Sequence, residues 1–215
     1  MPQNGTITRP TLKTPRAAAI AGIIFSALQI VVVWLFRTLL PADPLEPGAW
    51  LLTDITTVAF ALQLIPFVGI AFLWFIGVLR DHLGATEDRF FATVFFGSAL
   101  LYLAMYFLSA ATIGSLVVVA ALDPKQLIDS TTLHFGRALA YTILNVYAAK
   151  MAAVFMISTS TVALYTRFVP RWIALFGYSM SVILLVGSYF IPWGDMVFPA
   201  WVLLLSIQIL IANFR

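Results

Sequence analysis

From Phe90 to Leu122 the chain carries no charged side chain. A helix needs only about 18–20 apolar residues to cross a bilayer, and several other runs reach that length. A strand reading fails, because the runs are too long and an open sheet edge cannot face lipid. Composition agrees: the 215 residues are 62% hydrophobic and 10% charged. Ordinary soluble domains are about 45–50% apolar and about 25% charged. The chain lacks the polar groups to cover a water-exposed surface, so the fold class read from it is all-α and polytopic, with lipid as solvent.

Six spans are expected, near 17–36, 52–79, 90–121, 138–166, 172–191 and 197–213, bundled in one domain over 17–215. The breaks are PADPLEPGAW, RDHLGATEDR, DPKQLIDSTTLH, RFVPR and PWGDM. Residues 1–16 read as a flexible cytoplasmic tail. The first run is too long for a signal-peptide core and no A-x-A site follows it, so it is kept as a span. Residues 90–121 would extend ~48 Å at 1.5 Å per residue against a ~30 Å hydrocarbon core, so span three must tilt or project. DPKQLIDSTTLH is then a cap on the bundle, not a slack loop.

Orientation follows from the basic residues. With both termini inside, Arg9, Lys13, Arg16, Arg80, Arg89, Arg167, Arg171 and Arg215 are cytoplasmic. Arg37, Lys125 and Arg137 are outside, and Lys150 lies in the membrane. Trp34, Trp50, Trp193 and Trp201 then fall at the outer interface, with Trp74 and Trp172 near the inner one. This describes a multi-pass protein of the cell (inner) membrane.

Several chemistries are not expected. There is no cysteine, hence no thiolate site or disulfide. Haem ligands would be intramembrane histidines, and His82 and His134 are both in loops. Asp81, His82, Glu87 and Asp88 could suggest a metal. Gly84 as a helix cap, Thr86 as an N-cap and acids in a first turn explain that loop better. No phosphate loop or nucleophile elbow is present. The net charge of +3 comes from scattered single residues and does not indicate nucleic acid. No cofactor is expected.

Small residues at i, i+4 offer close helix approach: Ala110/Gly114 and Ala111/Ser115 on span three, Gly177/Ser181 on span five. Pro66 in span two is expected to kink its helix. Pro15–Arg16 and Pro170–Arg171 open spans one and five, and similar Pro–Trp segments open spans two and six. Interfaces reuse these residues, or a helical hairpin has been duplicated.

Polar residues inside spans carry the functional expectation. Gln29, Gln63, Gln208 and Lys150 occupy similar depths on four helices. They either converge on a pocket or serve as pairwise interhelical glue. Lys150 is the strongest candidate, since a charge there costs at least ~2.5–3.5 kcal/mol. Ile143, Val146, Val154 and Ile157 flank it, with Tyr147 one turn away. Snorkelling toward the outer side is partly available to it. Asp54 is the first candidate partner, although a first-turn role after Thr53 is equally open to it. Asp129 and Asp195, in loops, are weaker candidates.

The RFVPRW segment at 167–172, opening a late span, resembles a feature of uncharacterised six-helix bacterial inner-membrane proteins. The resemblance implies the architecture and no activity, ligand or site residue. The leading functional expectation is binding or transport of a small solute, ion or lipid through a polar intramembrane cavity. The candidates are Lys150, Asp54, Tyr147, Gln63, Gln29 and Gln208. The rivals are an accessory subunit of a larger membrane complex and a lipid-modifying membrane enzyme. Membrane lipids are expected partners, with a homo-oligomer or larger complex also open.

Overall fold

The computed structural model describes residues 14–40, 48, 53–83, 89–128, 130–167, 169–188, 190–191 and 193–212. The tail at 1–13 and the acidic loop at 84–88 therefore lie outside the described residues, as do Trp50 and Asp129. So do the side chains of Asp81 and His82.

Among the described residues there is no strand. The helices are α1 (Thr14–Leu39), α2 (Ile55–Leu83), α3 (Arg89–Leu122), α4 (Pro124–Leu127), α5 (Thr131–Thr142), α6 (Ala149–Thr166), α7 (Arg171–Gly187) and α8 (Val197–Ala212). A π-helical segment, Ile143–Ala148, joins α5 to α6 as one continuous rod, and a 3₁₀ turn, Gly194–Met196, leads into α8. Five helical stretches are long and apolar enough to cross a membrane: Arg16–Leu39, Ile55–Arg80, Thr93–Leu122, Thr131–Thr166 and Gly194–Ala212. By length and composition they fit a multi-pass membrane protein. The expected fifth span, α7, is apolar but only 17 residues long.

Local signals explain where helices begin and end. Ser130 caps α5: its Oγ accepts from the Leu133 N–H at 3.2 Å and donates to the Leu127 carbonyl at 2.8 Å. Leu127 and Leu133 are buried against Val58, Leu116 and Ala120, so the segment between spans three and four does form a packed cap. At the other end of the rod Arg167 adopts a left-handed conformation with φ 55°, which stops α6. Pro170 follows and leads directly into α7. α2 runs unbroken through Pro66, which faces outward from the bundle.

α1 packs along α2 and α8, while the α5–α6 rod packs along α3 and α7. α7 and α8 touch each other little, so the two hairpins that echo one another in sequence do not pack alike. Gly177 and Ser181 mark a close approach: a Cβ on Gly177 would meet Ser160 Oγ and Trp201 Nε1. Gly69 and Gly22 play the same part against Phe107 and against Phe75 and Ser206. Ala111 and Ser115 on α3 instead face outward. The core is an aromatic layer centred on Phe72, whose ring meets Phe25, Phe75, Tyr102, Phe155 and Phe198 at centroid distances of 4.7–6.3 Å. Without a hydrophobic drive between helices in lipid, such dispersion contacts supply the cohesion.

Candidate functional site, a polar cavity at the Arg37 end

The polar groups gather where α1 ends and α8 begins. Arg37 sits in the last turn of α1 and Asp195 in the 3₁₀ turn before α8. Arg37 Nε and Nη2 both donate to Asp195 Oδ2, at 3.2 and 3.1 Å. Their side chains are 18% and 11% exposed, so the pair is largely withdrawn from solvent. The Trp193 ring lies 5.8 Å from the Arg37 guanidinium and 6.3 Å from the Trp34 ring, which holds the arginine in place.

Beside this pair lies a cavity of about 130 Å³ between α1, α3 and the α5–α6 rod. Val32, Val33, Phe36, Ile65, Ile113 and Leu144 form apolar walls, and Arg37, Arg137, Tyr106, Tyr141, Asn145 and Asp195 bring polar groups to it. Arg137, on α5, is only 5% exposed. A second void of about 20 Å³ lies deeper, lined by Gln29, Tyr102, Ser188 and Phe198. Leu144, Asn145 and Asp195 line both. Tyr106 Oη lies beside Gln29, and Asp195 is near enough to act electrostatically on Tyr102 and Tyr106. Gln29 Oε1, Tyr106 Oη, Ser188 Oγ and Asp195 Oδ1 are buried and lack an ideally aligned hydrogen bond among the described residues, although Tyr106 faces Gln29 and the Asp195 carboxylate faces the N–H groups of its own turn. Buried polar atoms are ordinarily satisfied, and these groups, short of ideal partners beside two neighbouring voids, leave room for further polar atoms there.

The π segment belongs to this site. Widening a helix by one residue leaves carbonyls of the preceding turn short of their usual donors, and such bulges concentrate at functional sites. Here two side chains supply donors: Ser109 Oγ on α3 donates to the Ala140 carbonyl at 2.9 Å, and Asn145 Nδ2 donates to the Tyr141 carbonyl at 3.0 Å. The bulge thus ties the rod to α3 and brings Leu144 and Asn145 to both voids.

The structure distributes the six residues singled out from sequence instead of gathering them. Gln29 is buried and lines the deeper void. Gln63 faces outward, and Gln208 is half-buried on α8 and lines neither void. Tyr147 is 57% exposed. Lys150 is half-buried, lines neither void and makes no ion pair with Asp54. Asp54 has a local role. Its carboxylate accepts from Thr53 Oγ1, and its carbonyl accepts from the N–H groups of Thr57 and Val58 at the start of α2. Asp195 does find a cation, but it is Arg37.

Sequence reasoning passed over Arg37, Arg137, Asn145, Tyr102 and Tyr106. The arginines were read as topology markers, since a basic residue near a span end ordinarily is one. The missed signal was their company: Arg37, Arg137 and Asp195 fall on the same side in any alternating arrangement of these spans.

No protein-family model, curated protein or solved structure matches the chain.

Proposed function

We propose that this chain is a six-span inner-membrane protein with both termini cytoplasmic, which binds or transports a small solute or lipid through the cavity at the Arg37 end. The six-span count takes α7 as a short span, and the orientation rests on the distribution of basic residues. The observation that carries the function is the pair of neighbouring voids, which share Leu144, Asn145 and Asp195 and set apolar walls beside a few buried polar groups. Apolar pockets with a few converging polar groups are the usual form of small-molecule sites. The larger void approaches the ~150 Å³ cavity that accommodates a benzene-sized molecule. Tyr102 and Gln29 give a guest polar contacts further inside, which makes the deeper void a continuation of the same path in this reading.

Native mass spectrometry of the purified protein tests the reading. Wild type is expected to carry a small molecule of defined mass. Ala140→Trp, which fills the larger void from α5, is expected to lose it, as is the gentler Ala110→Leu from α3. Equal adducts on wild type and both variants, or none on any of them, would count against the proposal.

A further inference from the structure

Gln63 stands on the outward face of α2, where a membrane span meets lipid. The Ile55–Arg80 span is ~39 Å long at 1.5 Å per residue, and Gln63 lies ~7 Å from its middle, inside a ~30 Å hydrocarbon core. No hydrogen bond joins its side chain to any described residue. Three residues on, Pro66 also faces outward, and it lacks the N–H that would serve the Leu62 carbonyl. Lipid chains offer neither donor nor acceptor, so unmet polar groups at this depth call for a protein partner.

The residues around Gln63 form a seam. Phe60, Gln63, Phe67, Ile70, Trp74 and Gly77 are all exposed and recur at alternating steps of three and four. That spacing keeps one stripe turned toward a partner helix. Gly77 is an independent sign. Glycine weakens a helix interior, and a Cβ here would meet nothing within 4 Å, so the protomer's own packing makes no use of it. Gly22, Gly69 and Gly177 differ, because a Cβ on each would collide with a neighbouring helix. A bare glycine on an outward seam lets a second backbone come close.

The seam is complementary to itself. α2 carries no charge from Ile55 to Leu79, so nothing on it calls for an oppositely charged partner. Its one amide both donates and accepts, and an identical amide satisfies it. Copies of one chain cross the membrane in one orientation. The two-fold axis of a pair then stands perpendicular to the bilayer, and equal residues meet at equal depth. We infer that the occupant of this face is a second copy of the chain, with parallel α2 helices joined by a reciprocal Gln63–Gln63 hydrogen-bonded pair and a close approach at Gly77. The pairing is independent of the cavity and of which side holds the termini.

The natural absence of cysteine makes the test direct. Ile70→Cys places one thiol per chain on the seam, and Val182→Cys places one on the outward face of α7. Both positions are more than half exposed. A disulfide in either variant must join two chains. In liposomes of the purified protein at high lipid excess, copper–phenanthroline is expected to convert Ile70→Cys to a covalent dimer at least tenfold faster than Val182→Cys. Adding Gln63→Leu should slow that reaction about fivefold, through the loss of two interhelical hydrogen bonds. Adding Gly77→Leu should slow it by as much or more. Both substitutions fall on the outward face, so the protomer's unfolding temperature and ligand retention are expected to stay as in wild type. Lost pairing is thereby separated from lost folding. Equal rates at the two thiols would overturn the second copy as occupant, as would a rate at Ile70→Cys that either added substitution leaves unchanged.

Discussion

The same bundle holds two layers built on opposite rules. Around Phe72 the rings of Phe25, Phe75, Tyr102, Phe155 and Phe198 pack together between α1, α2, α3, α6 and α8, with Tyr102 and Phe198 at the border of the smaller void. Toward the Arg37 end the same helices leave a cavity and a bulged helix. The helices are continuous through both layers, so the contrast comes from side-chain size and polarity. Where Phe72 and Phe155 face each other the gap closes. Where Ala110, Ser109, Ala140 and Asn145 face each other it stays open. One layer holds the fold and the other leaves room for a guest.

This division makes graded predictions. Phe72→Ala removes the hub of the aromatic layer and is expected to destabilise the protein by about 3–5 kcal/mol, read as thermal unfolding in detergent. A loss below about 1 kcal/mol would mean the layer is not the structural core. Asp195→Ala leaves the Arg37 guanidinium without its carboxylate in a mostly buried setting. It should cost about 2 kcal/mol, less than the 3–5 kcal/mol of a fully buried pair because both groups retain some exposure. Gln29→Leu removes a buried amide that faces the Tyr106 hydroxyl and is expected to cost about 1 kcal/mol while weakening ligand retention in native mass spectra. Gln63→Leu, on the outward face of α2, should change stability by no more than about 0.5 kcal/mol and leave retention unaltered.

Arg137 and Lys150 show what a sequence conveys about such a site. They lie thirteen residues apart on one helical rod. Their depth could be counted from the span ends, and the rarity of an intramembrane charge drew attention to Lys150. Depth does not give the facing, however. At 3.6 residues per turn, thirteen residues bring the two side chains to different faces, and the π segment between them alters the phase again. Arg137 therefore reaches the cavity and Lys150 does not. Apolar runs, the capping segment between spans three and four and the break at 167–171 were legible, because length, turn residues and prolines act locally. The cavity was not, because it is made by small residues on three helices meeting across space. Gln29 was found because a buried amide in a span is itself unusual. Asp195 was weighed, but its partner was sought on the wrong helix. Lys150→Met is accordingly expected to leave ligand retention unchanged, and a loss of retention would return the site to the middle of the rod.

The central claim is that the Arg37 end encloses an accessible cavity and the Phe72 layer does not. Two alanines of the same rod separate these alternatives, since Ala140 is 3% exposed and Ala153 is 0% exposed, and only Ala140 lines the cavity. Each is changed singly to cysteine in the otherwise cysteine-free chain, and maleimide alkylation of the folded protein is timed. Ala140→Cys is expected to react at least tenfold faster than Ala153→Cys, with the two rates converging after unfolding. Equal, slow reaction of both thiols in the folded protein would contradict the account.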